Sequence, residues 1–576
     1  MDENKSDIDW NVTQRGLEHM GHGAAALSTL PEKLAYEDAL SAVSMSTPSQ
    51  FVTVPTVDQS AQARPTAIGA RHQALGRHQT GRMFSRTRTP DWWRPVMVAY
   101  SILVMVSIII VKMGLLSAAS QSPILSIYGL LVSTYLTSNI ILALKYRAED
   151  PIKDDDLLPS IAVIVPAYNE PAGSVATIES ILTCDYPANK LRVIVVDDGS
   201  SDGTWEAVAA CAATDSRVTA LRMERNGGKR AAMANGYRAL SGQPVVVFVD
   251  SDTLLERTSL RALVTPLVTR PNVAVVTGHA DVANPGESWL ARLQQVRYYA
   301  AFRLVKGAES VTRKVTCASG CFSAYRLSVL DELMDDWLAQ MFLGQRATYG
   351  DDRALSTNTL AAGYDIVYQE NAVCWTNVPT VWKVFWKQQL RWKKSWTRES
   401  LRLIPFAWRL GVIPGIRAYV SILLQLVGPL VVTYSIVVRP FENGAPAWLY
   451  LAGIQAMATL YGLFYGVMRR QSSWWPGVVY AVMYTVVMSW QVYLAMFKLK
   501  DTSWGTRTSD TGQDDDDIPG ISERVDGAGR GVISRSPTAP TEEQHWGIGL
   551  LAVPLTALPL VLCLIWFFTS ATGRAY

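Results

Sequence analysis

Val245-Val-Val-Phe-Val249 runs without a break into Asp250-Ser-Asp252-Thr253. Five consecutive apolar residues, four of them valine, make a strand with no polar face. Such a strand is buried on both sides, as in a parallel sheet covered by helices. The turn after it places two carboxylates at the sheet edge, where α/β proteins bind ligands. Hard oxygen donors there suit Mg2+ or Mn2+ bridging a diphosphate. A solvated turn is the bland alternative, and the strand before it argues against that.

Three more apolar runs accompany this one, at residues 161–166, 191–196 and 273–277, with helical patterns between them. Short apolar strands alternating with helices predict a mostly parallel α/β sheet over residues 150–375. The first run leads into Pro166-Ala-Tyr168-Asn-Glu170 and the second into Asp197-Asp198-Gly-Ser200. Tyr168 can stack on a nucleotide base, and Asp198 can accept from a base N–H. Asp-Gly is also ordinary turn chemistry. The loop Asn226-Gly-Gly-Lys229-Arg230 offers pliant backbone and two cations for phosphate, though it is no P-loop.

Further along stands Gly350-Asp351-Asp352-Arg353. Adjacent carboxylates repel, which raises one pKa and suits a general base acting on a hydroxyl. In isolation such a pair is a surface turn. Gln388-Gln-Leu-Arg391-Trp392 follows, within a basic aromatic helix. Arg391 can neutralise a departing diphosphate, and Trp392 can stack on a sugar ring or anchor at a membrane interface. Trp504 and Arg507, on a Gly-containing loop, suit a gate over a nucleotide.

The rest of the chain supplies the setting. Of its 576 residues, 49% are hydrophobic and 18% charged, and the net charge is +3. That balance offers no basic surplus for nucleic acid. The apolar residues gather in runs long enough to cross a ~30 Å hydrocarbon core. Residues 1–94 read as a disordered, Arg-rich arm with no signal-peptide core, and residues 95–145 as a transmembrane hairpin. Arginines before the hairpin and Lys145 and Arg147 after it place both flanks in the cytosol. Residues 376–412 read as amphipathic interface helices, with Val381, Phe385, Trp392 and Trp396 on one face and Lys383, Lys387, Arg391, Lys393, Lys394 and Arg398 around them. Residues 413–500 hold two more spans and a re-entrant segment interrupted at Ser489-Trp-Gln491. Residues 501–546 form a cytosolic gating loop and linker, and 547–576 a last span and tail. This scheme has five spans. Six dispersed cysteines and six unclustered histidines predict reduced thiols and no His-ligated metal.

Taken in order, these segments resemble processive family 2 glycosyltransferases with the GT-A fold, over roughly residues 95–510. Within that group the chain looks most like hyaluronan synthases. The carriers are Asp250-Ser-Asp252-Thr, Arg297-Tyr-Tyr-Ala-Ala-Phe302, Phe342-Leu-Gly344, Gly350-Asp-Asp-Arg353, Gln388-Gln-Leu-Arg-Trp-Lys-Lys-Ser-Trp-Thr-Arg-Glu399 and Trp504-Gly-Thr-Arg507. The resemblance implies a cytosolic GT-A domain inserted between transmembrane helices of a multi-pass plasma-membrane protein. Tyr168, Glu170 and Asp198 would contact uridine, and Lys229 and Arg230 the diphosphate. Asp252, with Asp250 beside it, would hold Mg2+ or Mn2+. Asp352, beside Asp351, would be the base. Gln388, Arg391 and Trp392 would hold diphosphate and acceptor, Cys317 would line the acceptor pocket, and Trp504 and Arg507 would gate. The implied partners are UDP-sugar donors, a growing polysaccharide and membrane lipid. The chain departs from the pattern at Cys321, where these synthases usually have Pro. It also departs in its long N-terminal arm, its acidic run Asp514–Asp517, and the single span after that run. Chitin-oligosaccharide synthases, which usually have Glu-Asp-Arg at positions 351–353, are the nearest rival. A transporter with a nucleotide-sensing domain is the rival from another class.

Overall fold

In a computed structural model of the chain, residues 92–117, 123–443, 447–469 and 474–501 are described. The expected arm before Trp92, the gate residues Trp504 and Arg507, the linker and the last span lie outside them.

The four apolar runs form β1 (Ile161–Ala167), β2 (Leu191–Asp197), β4 (Val245–Val249) and β6 (Val273–Val282). All of β1 and β4 is buried, because helices cover both faces. The sheet also contains β3 (Val218–Arg222), β5 (Thr253–Leu255), β7 (Phe322–Arg326) and β10 (Asp365–Thr376). The two-residue strands β8 (Met341–Phe342) and β9 (Gln345–Arg346) form a separate hairpin.

The strand order is β3-β2-β1-β4-β7-β6-β10-β5. The β1–β2, β1–β4, β2–β3 and β6–β10 pairs are parallel, and β7 and β5 run against their neighbours. The order turns back between β1 and β4, which opens a crevice at their carboxyl ends. Tyr168, Asp198 and Asp250 all lie at that edge.

Among the described residues, three helices are long and apolar enough to cross a membrane: Ile127–Lys145, Val412–Glu442 and Tyr450–Arg469. A bent pair, Trp475–Val486 with Met488–Phe497, turns by 49° at its break and would make a fourth if it is one span. The helix Tyr450–Arg469 is fastened to the sheet at its last residue. Arg469 pairs with Asp281 of β6, which also meets His279 at 3.2 Å. Burial works against the Asp281 charge, yet Arg469 and His279 hold its carboxyl well below the usual range.

The basic helix predicted over 376–412 runs from Trp382 to Leu403. Its faces differ from the expectation. Val381, Trp382 and Trp386 are exposed, whereas Lys393, Lys394 and Arg398 are buried. Protein partners explain the difference. Lys393 donates to Tyr484 Oη at 3.0 Å, Lys394 to the Asp501 carbonyl at 2.8 Å, and Arg398 to Glu399 at 2.7 Å.

Candidate active site

The crevice is first lined by strand ends. Asp250 leaves β4 and pairs with Lys229 Nζ. Ser251 donates to Glu170 Oε2 at 3.0 Å, which ties the turn after β4 to the turn after β1. Asp198, 3% exposed, accepts the Gly227 amide at 2.7 Å. The glycine loop is thereby held against the end of β2, and one Asp198 oxygen that was expected to meet a base is taken up in doing so.

Lys229 and Arg230 open the helix Lys229–Arg238 and point apart. Burial opposes the Lys229 charge, but Asp250, Asp351 and Asp352 hold the ammonium above the usual lysine value. Arg230 turns toward Asp351. It is 7% exposed, meets Asp351 Oδ1 at 2.9 Å and donates to the Trp337 carbonyl at 2.8 Å. Its guanidinium also lies 4.7 Å from the Trp337 ring centre. Neighbouring positions on a helix diverge by about 100°, so only one of two adjacent cations can face the crevice.

This pairing separates the two aspartates. Asp351 is buried and bound to Arg230, which offsets its charge. Asp352 faces the crevice from the first turn of the helix Asp351–Ala361, where the helix dipole favours a carboxylate. Its Oδ2 accepts the Gly320 amide at 3.2 Å and the Cys317 thiol at 3.7 Å. Burial, then Asp352, pushes the Cys317 thiol up to about 11, which keeps it a donor. Gly320 bridges the two sides. A Cβ there would stand 3.4 Å from Asp352 Cβ and 3.4 Å from Lys229 Nζ.

The interface helix closes the other side. Gly350 lets it come close: with φ +71°, a Cβ there would stand 1.9 Å from Ser395 Oγ. Gln340 Nε2 donates to Glu399 Oε1 at 2.9 Å, and Arg398 to the Tyr349 carbonyl at 2.6 Å. Trp392 meets Tyr298, ring centres 6.3 Å apart. Tyr298 is buried beside Arg297 and lies within electrostatic range of Asp252 in the Asp-Ser-Asp turn. Gln388 and Arg391 are half-buried on the same helix.

Sequence reasoning missed Trp337, Gln340, Arg398 and Glu399 as the frame of the base. Their sequence separations from Asp351 leave no local signal.

Among the described residues, no group of three or more His, Cys, Asp or Glu converges as a metal cage. Asp250 and Asp252 offer two carboxylates from one turn. That set fits a hard cation taking its remaining ligands from phosphate and water.

The family profile described as Glycosyltransferase like family 2 matches residues 159–395. An N-acetylglucosaminyltransferase of Bradyrhizobium diazoefficiens is 31% identical over 379 residues, 65% of this chain and 72% of that protein. The hyaluronan synthase of Streptococcus pyogenes serotype M3 is 29% identical over 431 residues, 72% of this chain and 98% of that protein. A mannosyltransferase structure from Pyrobaculum calidifontis, in complex with GDP-Man and Mn2+, aligns with TM-score 0.45 and 22% identity, covering 63% of this chain and 99% of that one. With the mostly parallel sheet, the Asp-Ser-Asp turn after β4 and the matched profile, the chain belongs to the processive family 2 glycosyltransferases of GT-A fold.

Proposed function

We propose that the protein is a membrane-embedded, inverting polymerase that makes hyaluronan from UDP-N-acetylglucosamine and UDP-glucuronate and passes it across the membrane. The observation that carries this reading is the shared cleft. Asp352 and Lys229 close around Gly320, and Trp392 packs on Tyr298, which lies within electrostatic range of Asp252.

In this reading Tyr168, Glu170 and Asp198 hold uridine, and Lys229, Gln388 and Arg391 face the diphosphate. Asp252 and Asp250 would hold Mg2+ or Mn2+, which supplies charge neutralisation at the leaving group. Trp392 orients the acceptor sugar. Asp352 takes the proton of the acceptor hydroxyl as its oxygen bonds to the anomeric carbon. The bond from that carbon to UDP breaks on the opposite side, and UDP leaves with the electron pair. Arg230 fixes Asp351 and so the helix turn that aims Asp352. The catalytic domain faces the cytosol of a multi-pass plasma-membrane protein.

A chitin-type synthase is the second reading, favoured by the identity to N-acetylglucosaminyltransferases. Radiolabelled UDP-sugars, given singly and in pairs to the protein in lipid, distinguish the two. Polymer that needs both donors supports hyaluronan, and polymer from UDP-N-acetylglucosamine alone refutes it.

A further inference from the structure

Two cations behind Trp392 lack an acidic partner. The Arg297 guanidinium stands 5.7 Å from the Trp392 ring centre. Its electrostatic neighbours are Tyr480, Tyr484 and Tyr298. Lys393, 6% exposed, donates to Tyr484 Oη at 3.0 Å and lies 4.4 Å from that ring's centre. Neither cation pairs with an Asp or Glu among the described residues.

The contrast with nearby cations is sharp. Arg230 has Asp351, Lys394 has Asp501, and Arg398 has Glu399. Burying charge without a counter-ion is costly. Around Arg297 the tyrosines favour the charged form against burial, but phenols are neutral groups and supply no anion. Two such charges side by side leave room for an anion supplied by a ligand. Their position says which ligand. Tyr298 packs on Trp392, and Tyr480 and Tyr484 belong to the helix Trp475–Val486 on the membrane side. Arg297 lies beside Trp392 and Lys393 beside Tyr484 of that helix, so a chain leaving Trp392 toward it would meet both cations.

We propose that Arg297 and Lys393 bind the carboxylate of a uronic-acid residue in the growing chain, next to the sugar stacked on Trp392. The inference rests on the hyaluronan reading and names the part of the site that selects it. A neutral chain of N-acetylglucosamine leaves both charges uncompensated at every step. An alternating polymer delivers a carboxylate at every second sugar, and a guanidinium suits its planar geometry. The departing diphosphate is the competing anion, and the test separates the two.

The test uses the full chain in lipid nanodiscs. Binding of a hyaluronan hexasaccharide, of chitohexaose and of UDP is measured for wild type, Arg297→Gln and Lys393→Gln, together with polymer length. Wild type is expected to bind the uronate oligosaccharide at least about tenfold more tightly than the neutral one. Each variant is expected to lose most of that preference and to make shorter polymer, with UDP affinity unchanged. An intact preference in variants that still bind UDP overturns the inference. So does a loss of UDP affinity, which would assign the cations to the diphosphate. If the variants do not fold, methyl-esterified hyaluronan hexasaccharide replaces them. Wild type should bind it about tenfold more weakly than the free acid, and equal binding overturns the inference. Polymer from UDP-N-acetylglucosamine alone overturns the hyaluronan reading itself. A wild type that needs both donors while the variants keep their preference overturns this inference alone.

Discussion

On the strand-end side of the cleft, Asp250, Asp252, Asp198 and Glu170 sit where buried strands stop, and the sheet sets their positions. On the interface-helix side, Arg391 and Trp392 sit on a helix held by residues far away in sequence: the Gln340 side chain to Glu399, the Tyr349 carbonyl to Arg398 and the Asp501 carbonyl to Lys394. The strand-end side is placed by backbone and should survive loss of a side chain with its geometry intact. The helix side is placed by a polar frame, and losing Arg398 or Glu399 should displace its neighbours. Uridine and metal handling belong to the first side, and acceptor handling, with the diphosphate contacts of Gln388 and Arg391, to the second, so loss of Asp252 and loss of Trp392 should separate in binding assays.

Asp252→Ala should have the largest effect. Transfer should fall by about a thousandfold, and metal-dependent UDP binding, followed by calorimetry, should go with it. Retained UDP binding would move the nucleotide site away from the strand ends. Trp392→Ala comes next, with transfer down about a hundredfold and UDP affinity within about twofold of wild type. A parallel loss of UDP affinity would merge the two sides. Arg230→Ala tests the frame. It leaves the buried Asp351 carboxylate uncompensated and should cost about 3–5 kcal/mol of stability, read as a lower unfolding midpoint. The double change Arg230→Met with Asp351→Leu should recover most of that loss, and no recovery would mean the pair is not the reason for the burial. Cys317→Ala should cost the least, less than about tenfold in turnover. The Cys317 thiol should also alkylate slowly at pH 8, because its pKa is pushed up to about 11. Fast alkylation would place that thiol away from Asp352.

The sequence-to-structure record follows the same division. β1, β2, β4 and β6 were legible because each is a run of buried apolar residues. β7, Phe322-Ser-Ala-Tyr-Arg326, is short and mixed, and its antiparallel place between β4 and β6 comes from pairing. β10 was hidden by Gln369-Glu-Asn371, where its pairing with β6 is irregular between Tyr368 and Val373. The Asp-Ser-Asp turn could be read from the strand before it. The different partners of Lys229 and Arg230 were illegible because adjacent cations look alike in sequence, while a helix turns the two apart. The burial of Lys393, Lys394 and Arg398 was illegible because Tyr484, Asp501 and Tyr349, which receive them, lie about fifty to over a hundred residues away, although Arg398 also has Glu399 beside it.

Asp352→Asn gives the most direct test of the account, with UDP binding, UDP release and sugar transfer followed in one preparation. The account expects UDP to bind as in wild type while release and transfer both vanish. Turnover comparable to wild type would contradict it, because the acceptor hydroxyl would then lose its proton to some other group.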